Sequence, residues 1–502
     1  SARQARSAHQ ASSARQARSA HQASSARQAR LARFRHGGYA ALVTMLVLAA
    51  LVLANLLVGQ LPLKLDLSAM QLYSLSPQTL DFLKGLKEDL TIYGLFKPGR
   101  EPSDIVEILR RYRDASSRIR LEYFDVDKRP SFSKKYDTSG QGLGQGSLVV
   151  VAAGSGRFKV IPYSELYRLS ANQRTGQEEV QAIATEQRVT SAIIYATGGK
   201  TSIVYELGGH SEFTVEQLGL ASDLAAGNIE LRPLALLSAT SVPADADLVI
   251  EISPKYDLLP GEAESLKRFL EAGGNALFLI DRMKSPLGNL EGVLNLYGVA
   301  TTQGYVLEGG QSNTVAGRPN LLIPDLGKHS ILDSIRAKNY VVTMLNAQGL
   351  DLSSLKKRNL KIDALVLSSP ESWLRTDLGS DSMTRIASDR DGPFALAFAV
   401  EDRKDDPAAR SSRLVVVGSS LFVLPEAMSQ YMGPGNKELF LNMVAWSANR
   451  SEGLGIRPKS TLLMPVQLNA NQAVLWILII VVLLPGLVMA MGLVVWSRRR
   501  HR

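Results

Sequence analysis

The chain has 502 residues, 21% of them charged, and a formal net charge of +10, a length that calls for two or more cores. It contains no cysteine, which excludes disulfides, thiolate metal sites and a cysteine nucleophile. Eight arginines within 1–37 and four within 498–502 carry the positive charge and leave about −2 for everything between, so no specific nucleic-acid partner is expected.

The N-terminus repeats with period 12: SARQARSAHQAS at 1–12, again at 13–24, then SARQAR at 25–30. The repeat has no Leu, Ile, Val or Phe and cannot bury a core, so 1–37 is expected as a solvated basic tail drawn to anionic lipid headgroups. Residues 38–60 hold the first apolar run, Tyr39–Gly59, interrupted only by Thr44 and Asn55. A run of about 20 residues spans a hydrocarbon core, and no small-x-small cleavage site follows it, so it is expected to remain as an anchor. The second run, Ala473–Trp496 within 472–497, has tryptophans near both ends and Pro485–Gly486 in its middle. That pair predicts a kink or a packing notch against another helix. Arginines flank the outer end of each run, including the short tail 498–502, so both termini are expected in the cytoplasm and residues 62–470 outside the inner membrane.

Within the outer region, 65–170 alternates strands and helices. Ser76–Pro77 reads as a helix cap followed by proline at the first helical position. LTIYGLF and IRLEYFDVD read as strands, PSDIVEILRRYRDAS as an amphipathic helix, and SLVVVAAGSGRFKVIPY as a hairpin. The pattern predicts a small thioredoxin-like α/β domain without its CxxC. Residues 171–200 are expected as a linker helix. GGKT at 198–201 lacks the upstream glycine of a phosphate-binding loop, since position 194 is Ile, and it leads into a strand.

From 201 to 460 the strands TSIVYEL, IELRPLAL, ADLVIEIS, NALFLID, DALVLSS, PFALAFAVE and RLVVVGSSLFV alternate with helices, and predict a doubly wound, mostly parallel α/β sheet. FTVEQLGLASDLAAG is expected as a helix opening just after Glu212. Segments 301–360 and 370–390 read as insertions or loops. No histidine pair stands at metal-ligand spacing, so no metal and no cofactor is expected.

The blocks LYSLSPQT (72–79), VTSAI (189–193), Gly209-His210-Ser211-Glu212, the stretch SPKYDLLPGEAESLKRFLEAGGNALFLID (253–281), VVVGSSLF (415–422), GNKELFLNMVAW (435–446) and IRPKS (456–460) resemble the GldG family. These are membrane-anchored auxiliary proteins of ABC-2 type transporters, associated with gliding motility. The resemblance implies a class I glutamine amidotransferase- or DJ-1-like fold for 201–460, and an ABC permease, an ABC ATPase and an extracytoplasmic substrate as partners. Where amidotransferases carry their nucleophilic cysteine, this chain has Asp281-Arg282-Met283. The nearest serine context, Gly418-Ser419-Ser420, lacks the second glycine of a nucleophile elbow.

Gly209, His210, Glu212 and Asp281 are therefore the candidate ligand- or partner-binding residues, at the carboxyl ends of strands where such sheets bind ligands. A structural turn, a ligand site and a catalytic His–Glu pair all remain open for GGHSE. The leading expectation is a non-enzymatic accessory subunit with Pro485 and Gly486 packing in the membrane. The alternatives are an envelope hydrolase using His210 and Glu212, and a glycan-binding or scaffold module.

Overall fold

The computed structural model describes residues 45–53, 72–137, 140, 142–171, 177–376, 383–404, 410–428, 434–449, 456, 458–460, 476 and 478–500. The basic repeat lies outside the described residues. One compact unit covers Ser1–Leu67 and a second covers Ser68–Arg502. Of the first, only 45–53 is described, and it is helical with exposed apolar side chains from Met45 to Leu53.

The second unit opens with helix α1 (Pro77–Lys84). Ser76 caps it by accepting the Thr79 N–H at 3.3 Å, with proline at the first position, as the sequence predicts. A four-stranded sheet follows, built from β1 (Leu90–Gly94), β2 (Ile119–Tyr123), β3 (Leu148–Ala152) and β4 (Phe158–Ile161) in the order β2-β1-β3-β4. β1 and β2 run parallel, joined through helix α2 (Ser103–Ala115), while β3 and β4 are antiparallel. Alternation along β1 sends Leu90 and Ile92 to one face, against Ile105, Ile108, Leu109 and Tyr112 of α2. Each such aliphatic side chain contributes about 1.5–3 kcal/mol on burial. The opposite face is covered by an aromatic cluster in which Tyr93, Phe124 and Phe132 meet edge to face.

The segment expected as a linker is part of this core. Helix α3 (Thr185–Ala196) buries Val189, Ala192, Ile193 and Ala196 against the small sheet. Before it, β5 (Tyr167–Ala171) and β6 (Glu178–Ile183) form a hairpin, and β6 also pairs with Lys459–Ser460, from the far side of the large domain.

The large sheet has twelve strands. Its parallel half consists of β7 (Ser202–Leu207), β8 (Ile229–Leu234), β9 (Leu248–Ile252), β10 (Ala276–Leu279) and the late strand Ser412–Val417. From that late strand outward the sheet is antiparallel: Ala395–Asp402, Leu360–Leu367, Gln348–Leu352, Val299–Leu307 and Trp373–Arg375 all pair antiparallel with their neighbours. The expectation of a mostly parallel sheet holds for one half only. Parts of the segments read as insertions are strands of the same sheet. Their alternating patterns, such as VATTQGYVL, read as polar loops because one face is only half buried.

Both faces of the parallel half are covered. Leu248, Ile250, Ile252, Leu277 and Leu279 face the helix Gly435–Ser447, with Leu439, Phe440 and Val444. Val249, Ala276 and Phe278 face the helices Pro260–Glu271 and Gly288–Leu296.

At the antiparallel edge, Arg375 grips Asp389 with two hydrogen bonds, 2.7 Å to Oδ1 and 2.8 Å to Oδ2, and both side chains are buried. The Arg375 guanidinium, followed by the Ile386 N–H, holds the Asp389 carboxyl below its usual range. A depressed folded value adds stability that is complete above the unfolded carboxyl value of about 3.9 and is lost as pH falls through the folded value. Acid unfolding followed from about pH 5 down to about pH 1.5 should show this loss in the native chain and not in Arg375→Met; equal acid sensitivity would refute it.

Among the described residues no helix is long and apolar enough to cross a membrane. Leu484–Arg500 is an α-helix of 17 residues, preceded by a π-helical turn, Ile479–Leu483. Pro485 explains the turn: it has no N–H for the carbonyl four residues earlier, and its ring crowds that carbonyl, so the preceding turn widens. The first span's ends and much of the approach to the second lie outside the described residues.

Candidate functional site

Strand β7 delivers the GGHSE segment to the carboxyl edge of the parallel half. Gly209 has φ +126° and Ser211 φ +62°, and these left-handed positions fold 208–213 back on the sheet. The loop after β9 locks onto it: the Lys255 and Tyr256 N–H groups donate to the His210 carbonyl at 2.8 and 3.3 Å, and Phe213 N–H to Ile252 O at 2.9 Å. No helix begins at Glu212, contrary to expectation. The first helical residue downstream is Ala221, and the Glu212 carboxylate turns back instead to accept the Gly209 and His210 N–H groups at 3.2 and 2.8 Å.

His210 is held at both ring nitrogens. Nδ1 lies 2.9 Å from Glu212 Oε1 and Nε2 lies 3.0 Å from Glu262 Oε2. Glu262 is the third residue of the helix Pro260–Glu271 and also accepts the Leu259 N–H at 2.8 Å, the reach-back of a helix-capping glutamate. Against this trio stands Glu251, the penultimate residue of β9. Alternation places it with Val249 on the face covered by that helix. It is 1% exposed, and neither carboxylate oxygen has a hydrogen-bond partner. Burial pushes its carboxyl well above the usual range, and the charges of Glu212, Glu262 and Asp257 push the same way.

Asp281 belongs to a separate, neighbouring cluster. Its Oδ1 accepts the Ser420 N–H and its Oδ2 the Ser420 hydroxyl, both at 2.7 Å. The Ser253 hydroxyl also donates to Oδ2, and Lys255 donates to Ser253 while its Nζ stands 3.6 Å from the carboxylate. Ser253 is fully buried with φ +60°. Asp281 thus ties together the ends of β9, β10 and the strand Ser412–Val417, three neighbours in the parallel half. Ser419 is equally buried and donates to Leu345 O at 2.8 Å. None of these hydroxyls is open to an attacking trajectory.

Among the described residues the crevice beside Asp281 is nearly closed. Beside Asp281, next to Met283, Leu290 and Gln303, the open volume is only ≈10 Å³, too little for more than a single water. A groove of ≈550 Å³ lies at the opposite, amino-terminal edge, lined by Lys200, Asp247, Asn275, Arg410, Arg413 and Asn449. The lysine of GGKT is fixed there by Asp247.

Pro485 and Gly486 lie in the helix Leu484–Arg500. Among the described residues nothing comes within 4 Å of the position a Cβ on Gly486 would take.

Residues 207–443 match the family model described as an ABC-type uncharacterized transport system, its auxiliary component. That match supports an accessory role in an ABC transport system, and it spans the His210 and Asp281 clusters together. Residues 69–166, the small domain, match a domain of unknown function (DUF7088). No curated protein matches the chain. The solved mmIFT52 N-terminal domain is similar at 14% identity over 49% of this chain and 97% of that one, with a TM-score of 0.36.

Two residues of the auxiliary segment escaped sequence reasoning. Glu262 sits in PGEAES, where an acid near a helix start is ordinary. Glu251 carried a usable signal: a lone acid in LVIEI, a strand otherwise apolar on both faces, must be paired, neutral or bound.

A third assembly unites blocks far apart in the chain. Glu186 of α3 accepts the Ser76 N–H at 2.6 Å and the Thr79 hydroxyl at 2.8 Å, and its other oxygen pairs with Lys459 at 2.9 Å. Thr190 meets Thr79 at 3.2 Å, and Lys459 also donates to Ser74 O. The segments 72–79, 189–193 and 456–460, each weak as a motif, meet around one buried carboxylate.

Proposed function

We propose that this chain is a non-enzymatic, GldG-like accessory subunit of an ABC-2 type transporter. In this reading the helices at 39–59 and 473–496 lie in the inner membrane beside a permease. The domains between them stand outside, where they bind or gate a substrate or couple to envelope components. The match over 207–443 carries the accessory role. Two further observations favour the membrane placement. Among the described residues, most apolar side chains from Met45 to Leu53 and from Leu478 to Trp496 stand exposed, a pattern that calls for lipid or a partner. The Gly486 notch is likewise unfilled among them.

The strand order β2-β1-β3-β4, with α2 and α3 on one face, supports the thioredoxin-like reading of the small domain. The two-sided parallel half supports an amidotransferase-like origin for the large one. A hydrolase reading gains nothing from the buried serines at 253, 419 and 420.

The test is purification from mild detergent through a C-terminal tag. An ABC ATPase and a multispan permease should be recovered in fixed ratio. A chain that purifies alone from gently solubilised membranes sinks the reading. Glu212→Ala should lower recovery of folded chain and of the complex together; full assembly with a selective loss of function would favour the enzyme instead.

A further inference from the structure

We propose that His210 Nδ1, Glu212 and Glu251 form a binding site for one divalent transition-metal cation of the zinc or manganese type, with Glu262 orienting the imidazole. Three side chains from two elements, the turn after β7 and the end of β9, bring ligand atoms within 4.8 Å of one another. All are largely removed from water: the side chains of His210 and Glu212 are 8% and 5% exposed, and Glu251 is 1% exposed.

The independent sign of a ligand is Glu251. A carboxylate with no partner on either oxygen, aimed at two further ligand atoms, is a costly arrangement for a folded protein to keep. A bound cation removes that cost, because buried charges persist where they coordinate metals.

The histidine geometry fits the same ion. Two ligand atoms each about 2.1 Å from one metal lie about 3.0–3.4 Å apart, and Nδ1 and Glu212 Oε1 are 2.9 Å apart. Glu251, within 4.8 Å of the other two ligand atoms, would close on the ion by a side-chain shift of up to about 1.4 Å to reach that spacing. Glu262, on the other ring nitrogen, accepts the hydrogen bond from Nε2–H and so fixes the tautomer that leaves Nδ1 as the lone-pair donor. Metal-binding histidines are usually fixed by a carboxylate in this way. Two ligand carboxylates balance the charge of a divalent ion. One imidazole with oxygen ligands suits zinc or manganese better than calcium or magnesium, which take oxygen alone. Three protein ligands leave at least one coordination position for water or for a group from a partner.

This inference does not depend on the transporter reading, because the test uses the purified full chain without partners. The chain, stripped with chelator, is titrated with Zn²⁺ and, separately, with Mn²⁺, beside Glu251→Gln, which keeps the shape of a protonated acid and removes a ligand. Comparing the two cancels any metal held by the histidines of the N-terminal repeat, which both proteins share. The native chain should bind one equivalent more of Zn²⁺ or Mn²⁺ than the variant. Its melting temperature should rise by about 5 °C or more at saturation, while that of Glu251→Gln stays put. Equal stoichiometry in the two proteins, or no rise in melting temperature with either ion, overturns the proposal and leaves Glu251 as a neutral buried acid. If Glu251→Gln does not fold, Glu212→Gln in the same titration gives the same comparison.

Discussion

Glu186→Ala should destabilise the outer region by about 3–5 kcal/mol, the cost of leaving one member of a buried ion pair alone. The carboxylate holds the Ser76 N–H, the Thr79 hydroxyl and the Lys459 ammonium at once. Its removal leaves the lysine with only the Ser74 carbonyl and frees the cap of α1. Tyr112 is drawn in as well. Its hydroxyl donates to the Glu186 carbonyl at 2.9 Å and meets Thr190 at 2.5 Å, and burial raises the phenol well above its usual value, so it stays a neutral donor. Lys459→Met should cost less than Glu186→Ala, because Ser76 and Thr79 still satisfy part of the carboxylate. The double variant Glu186→Ala/Lys459→Met should cost less than the sum of its single variants, because the second change finds the pair already broken. Urea unfolding of the four proteins measures this, and strict additivity would show that the three segments are not coupled through this carboxylate.

The second large effect is expected at the start of the helix Gly435–Ser447. Asn436 is buried and bonds on both sides of its amide. Its oxygen accepts the Thr343 N–H at 2.8 Å, and its nitrogen donates to Phe422 O at 3.0 Å and Thr343 O at 3.1 Å. One side chain therefore satisfies backbone groups of two loops that have no strand partner there. Asn436→Leu leaves them buried and unpaired, and unsatisfied groups cost about 1–3 kcal/mol each, so a loss of about 3 kcal/mol is expected by chemical denaturation. A loss below about 1 kcal/mol would mean that the loops re-pair without it. The neighbouring glycine acts by close approach: a Cβ on Gly435 would sit 1.9 Å from the Val341 carbonyl oxygen, so Gly435→Ala should also destabilise by forcing the 341–343 loop away.

Local pattern carried the small domain and the parallel half of the large sheet. Ser76–Pro77, the α2 stripe and the β3–β4 hairpin obey short-range rules, and strands covered on both faces declare themselves as apolar runs. The antiparallel half was not legible, because a strand with one half-buried face mixes Thr, Gln and Gly into its pattern and reads as loop. The candidate site was half legible. Gly209, His210 and Glu212 stand together in the chain, and the strand-end position of GGHSE identified them. Their partners Glu251 and Glu262 come from 39 and 50 residues beyond Glu212, and only the fold brings them in. Asp281 was placed correctly at a strand end, but its partners are serines and a lysine rather than the His–Glu pair.

The returning strand Lys459–Ser460 adds an edge to the β5–β6 hairpin, so the small domain is assembled from chain on both sides of the large one. Until residue 459 has been synthesised, Glu186 has no Lys459 ammonium to pair with. The ribosome must deliver residue 459 before that charge is neutralised. The large sheet is thus a guest inside a host that closes last, and a chain cut short anywhere before 459 lacks both the edge strand on β6 and the ammonium that pairs with Glu186.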